Sequence, residues 1–368
     1  MFTPLRKLFR LHAILAIVTT TLIAATFTSC TKDETPVIPS ENLALVINQG
    51  NFTEQSASLS LYDETSNTIT NRVFETANGG ISIGATIISG WVDDSKKAFL
   101  VCNYPDKIEI IDAKTVVKQG TAITAHLSNP RAITGDATNL YVTNWSTEYI
   151  VNSNYFYEYI NSYVAVFDAT THEYKKSIAV GTDAEGILLI GTRLYVATKA
   201  GIVVINTSDP ALPLMTTIRH PNAAGSAKNL TVDKYGKIWA SFPATGLVQI
   251  EPSTNTALAA VTVPVDEMDG YICADGDGSR ILTYYTRFNS SWMPEEAKVY
   301  AVDASTKAVS TLVTGNYFYG VGASSNTGNI FTAEVSFSSN SVLKVSDSSG
   351  ALVKSATAGI GTSRYLFF

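Results

Sequence analysis

The chain reads as an all-β, seven-bladed β-propeller closed by its own C-terminal strand. Three observations lead there: a hairpin that recurs seven times, a composition suited to strands, and an unmatched half-strand at each end. The hairpin is a short apolar strand, a polar turn that opens on Asp in most copies, and a second strand. It occurs as LYDETSNTI from Leu61, IIDAKTVV from Ile110, VFDATTHEY from Val166, VINTSDPAL from Val204, QIEPSTNTAL from Gln249, AVDASTKAV from Ala301 and VSDSSGALV from Val345. A spacing of about 40 to 50 residues is that of four-stranded blades, none of which can bury both of its faces alone.

Composition agrees. The chain is 45% hydrophobic and 16% charged. It is rich in Thr, Val, Ile and Tyr and has no sustained 3.6-residue apolar stripe after the leader, which is the pattern of strands.

Each blade also shows an inner strand and turn ahead of its hairpin, as in NPRAITGDATNLYVTNW from Asn129, where strand alternation flanks a turn at 135–139. Counterparts start at Gly84, Glu185, Ala227, Asp269 and Tyr319. The first blade lacks one, because LALVINQG from Leu43 already looks like a second strand. SRYLFF, from Ser363 to Phe368, looks like the start of an inner strand at which the chain stops. Pairing the two ends removes the open edges of the ring. A closed ring leaves no place for a domain boundary, so 42–368 is expected to form one domain.

Residues 1–29 have the layout of a signal peptide, with Arg6, Lys7 and Arg10 before an apolar run from Ala13 to Phe27. Ser29-Cys30 resembles a bacterial lipobox, with Phe27 where an aliphatic is usual. Lipidation at Cys30 is therefore expected, with 30–41, containing Pro36 and Pro39, as a polar tether. Thr31 to Glu34 resembles the surface-export signal of Bacteroidota lipoproteins. Without the three basic residues of the leader, 26 Lys and Arg fall to 23 against 32 acidic residues, a net charge near −9. That balance argues against nucleic acid as a partner.

In a propeller, the loops joining second to third strands share a face with the connections that lead into each inner strand. Long aromatic loops mark this face: 48–58 in blade one, 144–163 in blade three, 286–298 in blade six and 335–341 in blade seven. Aromatic and Arg side chains dominate binding surfaces because they bury much area at low entropic cost. The loop candidates are Asn51, Phe52, Tyr104, Trp145, Tyr149, Tyr155, Tyr157, Arg287, Phe288 and Trp292. A second set lies at the inner-strand entrances around the channel: Arg131, Glu185, Lys228, Asp269, Tyr317, Tyr319 and Arg364. Both charges together with aromatics suit a neutral or zwitterionic organic ligand bearing amides or a phosphate. As a purely structural set, the same residues would be inter-blade ion pairs and hydrogen bonds.

No catalytic motif stands out. The histidines beyond the leader are His126, His172 and His220, with no HExxH and no GxSxG. ADGDGS, from Ala274, matches part of a calcium loop but lacks the downstream Glu, so it is read as a turn, and no metal site is expected. No cofactor is expected either. Cys102 and Cys273 fall on separate blades and are expected to be buried thiols.

YVTN, from Tyr141 to Asn144, resembles the signature of YVTN-repeat, surface-layer-type propellers. NQGNF from Asn48, followed by ASLSLYD from Ala57, resembles the opening blade of Bacteroidota surface lipoproteins, a group that includes the cobalamin-capturing partners of TonB-dependent transporters. The resemblance implies a non-catalytic protein, lipid-anchored at the outer membrane and facing outward. It would seize a small-molecule nutrient, corrinoid being the best-known ligand of the group, and hand it to a TonB-dependent transporter. The alternatives are a protein- or glycan-binding adhesion or scaffold propeller and, behind it, a propeller lactonase or lyase, since such enzymes place carboxylates and Asn around the channel.

Overall fold

The computed structural model describes residues 41–222, 225–265 and 268–368. The leader, Cys30 and all of the tether except Glu41 lie outside the described residues. Seven antiparallel sheets follow one another along the chain and close into a propeller. Blade one takes its innermost strand, Thr362–Phe367, from the C-terminus, then adds Leu43–Asn48, Ser58–Asp63 and Thr68–Asn71. The closing register pairs Ala44 with Phe367, Val46 with Tyr365 and Asn48 with Thr362, with a one-residue irregularity that leaves Ser363 unpaired. The leftover half-strands of the sequence thus meet as expected.

Core burial explains why the inner hairpins are so apolar. A blade's middle strands pack on a neighbouring blade through both faces, so Leu43–Asn48 is buried at every position. The outermost strand has only one covered face, and Tyr174–Gly181 accordingly alternates towards its end. Among the described residues the apolar core falls into seven clusters, one at each junction between successive blades. Leu45 and Ile47 of blade one meet Ile87 and Leu100 of blade two. At the last junction Ala44, Val46 and Tyr62 meet Phe331, Leu343 and Val345 of blade seven. The seventh cluster makes the ring continuous, and no single sheet carries the core.

Blade two departs from the four-strand expectation. Thr86–Val92, Lys97–Asn103 and Lys107–Asp112 form three strands, and the fourth is reduced to isolated bridges from Ile108 to Ile123 and from Ile111 to Lys118. The backbone reason is local. Gly120 adopts positive φ, and Asn78 ties down this segment by bonding the Val116 carbonyl and the Lys118 amide. That geometry breaks the ladder. A five-residue helix, α1 (Val73–Ala77), links blades one and two. It is the one helix among the described residues, and none there is long and apolar enough to cross a membrane.

The short second-to-third turns of blades four and five depend on glycine. Gly201 and Gly246 have φ of +119° and +110°, and a Cβ on either would lie 2.3 or 2.1 Å from a backbone carbonyl oxygen. Those two blades stay low on the loop-bearing face while blades three and six rise. Blade six does so on its longest strands, Arg280–Phe288 and Pro294–Asp303. Blade three adds a separate two-stranded hairpin, Tyr149–Val151 with Tyr157–Tyr159.

Candidate functional site at the channel mouth

Each blade delivers one inner-strand entrance to the same end of the central channel, and together they enclose a cavity of about 200 Å3. Ser89, Arg131, Glu185, Lys228, Asp269, Tyr319 and Arg364 contribute from blades two to seven and blade one in turn. Six of these were singled out from the sequence; Ser89 was not. Hydroxyls fix the entrances from the preceding blade: Ser89 Oγ donates to the Arg131 carbonyl at 2.7 Å, and Thr143 Oγ1 to the Glu185 carbonyl at 2.6 Å.

Glu185 is the centre of the charge network and is only 8% exposed. Its Oε2 receives Arg131 Nε at 3.1 Å and its Oε1 receives Lys228 Nζ at 2.7 Å. Burial alone would push this carboxyl up, but Arg131 and Lys228 outweigh it and hold the group below the usual carboxylate range. One carboxylate thus serves two cations. The Arg131 guanidinium also lies 3.9 Å from the Trp145 ring centroid, and Trp145 stacks on Tyr159 at 4.5 Å.

Asp269 behaves in the opposite way. Its side chain opens onto the channel but is walled by protein. That crowding holds its carboxyl above the ordinary range, even though the Tyr284 hydroxyl, Arg364 and Lys228 pull it down. Arg364 places its guanidinium 4.1 Å from the Tyr271 ring centroid, and its Nη1 donates to the carbonyls of Tyr319 at 3.1 Å and Ser363 at 2.8 Å.

A second cavity, of about 430 Å3, adjoins the first and shares Asp269 and Tyr319 with it. Its other walls include Phe288, Tyr317 and Phe318. Tyr317 meets Phe288 edge-on at 5.6 Å, and Phe337 of the blade-seven loop meets Tyr319 at 5.0 Å. A charged cup therefore opens sideways into an aromatic groove between blades six and seven. Tyr271 and Phe337 were missed in the sequence; Tyr271 lies just ahead of the strand Ile272–Ala274, two residues after Asp269.

The remaining candidates lie apart from this cup. Asn51 is occupied within the fold, bonding the Phe337 carbonyl at 3.1 Å and capping the amides of Thr53 and Glu54. Phe52 stacks on Tyr104 at 4.6 Å. Tyr149 packs edge-on against Tyr157, while Tyr155 at the hairpin tip is 87% exposed. The base of that hairpin is tied to blade four through a Lys199–Glu158 ion pair and through Asp183, whose Oδ1 accepts the Tyr159 amide at 2.7 Å. Trp292 is 83% exposed at the blade-six tip, and Arg287 faces Glu295 and Glu296.

The histidines sit elsewhere. His126 stacks on Tyr174 at 3.6 Å, His172 lies edge-on to Phe99 in a blade hairpin, and buried His220 packs on Phe242. ADGDGS forms a turn between Ile272–Ala274 and Arg280–Phe288 in which Asp275 Oδ2 pairs with Arg280 at 2.7 Å. No cluster suited to a metal ion occurs among the described residues.

Solved propellers share the fold at low sequence identity. A putative 6-phosphogluconolactonase from Bacteroides fragilis is 10% identical with a TM-score of 0.65, over 90% of this chain and 99% of that one. The periplasmic gluconolactonase of Pseudomonas aeruginosa is 12% identical with a TM-score of 0.58, over 88% and 99%. Hydrazine synthase of Kuenenia stuttgartiensis is 16% identical with a TM-score of 0.58, over 75% and 87%. No curated protein matches the chain in sequence. Residues 44–359 match the family model described as a domain of unknown function, DUF5074, and the chain belongs to that family.

Proposed function

We propose that this propeller is a surface lipoprotein that captures a nutrient-sized organic ligand, a corrinoid in the first instance, at its channel mouth and passes it to a TonB-dependent outer-membrane transporter. The observation that carries the reading is the junction of the charged cup with the aromatic groove through Asp269 and Tyr319. A ligand with a flat apolar body and polar substituents can lay the body on Tyr317 and Phe288 and direct the substituents at Arg131, Lys228 and Glu185. The lipobox-like Ser29-Cys30 supports the anchor, and the NQGNF and ASLSLYD blocks support the partnership with a transporter. In this reading the exposed blade-three hairpin, which stands beside the mouth without lining it, is the surface that meets the transporter.

A lactonase reading is favoured by one feature, the Asp269 carboxyl held above its ordinary range at the cup. Isothermal titration of the chain lacking residues 1–30 against cyanocobalamin, haem and a sugar-acid lactone separates the readings. One-to-one binding of cyanocobalamin supports capture. Silence with cyanocobalamin sinks the corrinoid assignment, and turnover of the lactone moves the protein to the enzymes.

A further inference from the structure

We propose that the channel mouth selects ligands bearing an anionic group, a carboxylate or a phosphate ester, which the Arg364 guanidinium receives while an aromatic or otherwise flat body rests on Tyr317 and Phe288. This deepens the capture reading and rests on it for the location of the site.

The argument is one of charge and vacancy at a single guanidinium. Arg131 and Lys228 share the one carboxylate of Glu185, so that trio retains a positive charge. Arg364 has no carboxylate within 4.0 Å among the described residues, and its hydrogen bonds there all leave from Nη1, to two carbonyls. Its Nε and Nη2 donors are left for something in the cavity that Arg364 lines. A guanidinium held by backbone carbonyls and a ring face is fixed in orientation. It therefore presents its remaining donors as a ready fork, the geometry that matches a carboxylate or phosphate. Asp269 is the one acidic group that opposes this. Even with Asp269 charged, the three cations of the cup, Arg131, Lys228 and Arg364, exceed its two carboxylates, Glu185 and Asp269, by one. The field is local, because the chain as a whole is acidic, with 32 Asp and Glu against 26 Lys and Arg. A positive cup in an acidic molecule draws anions to one place. The aromatic groove opens from the same cup, which fixes the second half of the ligand: a ring or conjugated plane next to the anionic group.

The test uses the full-length protein, purified in detergent, with phenyl phosphate, benzoate and the uncharged benzyl alcohol as probes read by titration calorimetry. One-to-one binding of at least one anion, about tenfold or more tighter than the alcohol and weakening as salt rises, is expected. Arg364→Gln should lose about tenfold or more for the anion and nothing for the alcohol, and Arg364→Lys should keep part of it. The tighter of the two anions identifies phosphate or carboxylate as the group. Thermal melting of both variants shows that the ring is intact, and the comparison of anion with alcohol on the unaltered protein stands even if a variant fails to fold. Equal binding of all three probes, no binding of either anion, or a folded Arg364→Gln with unaltered anion affinity would overturn the inference. Cyanocobalamin is run alongside. If it is silent while an anion binds, the corrinoid reading fails and the anion subsite stands; if it binds while the anions do not, the reverse holds.

Discussion

Asn48 and Thr362 are 314 residues apart in sequence and 2.7 Å apart in space, with Thr362 Oγ1 donating to Asn48 Oδ1. Both are fully buried. Asn48 Oδ1 also accepts the Gly359 amide at 3.0 Å, and Asn48 Nδ2 donates to Ser60 Oγ at 2.9 Å. One side chain thus ties Leu43–Asn48 to both of its neighbours in blade one, the C-terminal strand and Ser58–Asp63. Asn48→Ala leaves several buried polar groups without partners and should cost about 3 kcal/mol. Urea unfolding measures it, and a loss under about 0.5 kcal/mol would mean that the closure is held by apolar packing alone.

A chain ending before Thr362 should be worse than any point substitution. It would expose the whole inner edge of Leu43–Asn48, a strand apolar on both faces, and open the ring. Gel filtration should show aggregates where the intact chain runs as a discrete species.

Glu64 gives the ring a second latch on the opposite face. Its buried carboxylate accepts Ser324 Oγ at 2.6 Å and Asn329 Nδ2 at 3.0 Å, with Thr327 as a third donor. These residues form the first turn of blade seven, so the contact spans the closing junction. Glu64→Ala should lower stability by about 2 kcal/mol or more, and Glu64→Gln, which keeps one acceptor, by less. Equal losses from the two would contradict the hydrogen-bond account.

The two carboxylates of the cup should titrate with opposite sign. Glu185 lies below its ordinary range in the folded protein, so the stability it contributes is present above the unfolded value of about 4.5 and lost as pH falls through the lower folded value. Asp269 lies above its range, so its contribution is present below about 3.8 and lost as pH rises through the higher folded value. Asp269→Asn should therefore flatten the fall in melting temperature just above pH 4 without lowering stability at neutral pH. Glu185→Gln, which strands two cations, should lower stability most at neutral pH. The reverse order at pH 7 would sink this assignment.

Cys102 is buried as expected, whereas Cys273 is only half-buried, and the protein packed around each holds both thiols up at about 12. Neither should react with a thiol reagent at pH 8 until the protein unfolds, since the thiolate is the reactive form. Prompt labelling of Cys102 in the native protein would contradict the described packing.

The fold was legible because the blades repeat a local chemical pattern: a polar turn that opens on Asp in most copies, with apolar strand residues on both sides. The loss of the fourth strand in blade two was not, because it follows from positive φ at Gly120 and from the reach of Asn78 across 38 residues. The charged cup was legible for a geometric reason: whatever opens an inner strand must face the channel, so Arg131, Glu185, Lys228, Asp269 and Arg364 could be read from position alone. The loop aromatics could not be sorted in that way. Phe288 reaches the groove, while Tyr155 and Trp292, on hairpins of similar composition, project into solvent. Where a side chain points at the end of a long hairpin depends on twist and on partners in other blades. The pairing of Glu185 with both Arg131 and Lys228 depends equally on which blades are neighbours in space.

Amide exchange of the protein with and without saturating cyanocobalamin tests the central claim, that a nutrient sits at the channel mouth, most directly. Protection is predicted at the inner-strand entrances around Arg131, Glu185, Lys228, Tyr319 and Arg364 and along 285–288 and 317–319, with the blade-three tip at 153–156 unchanged. Protection confined to that tip or to the opposite face, or none anywhere, would contradict it.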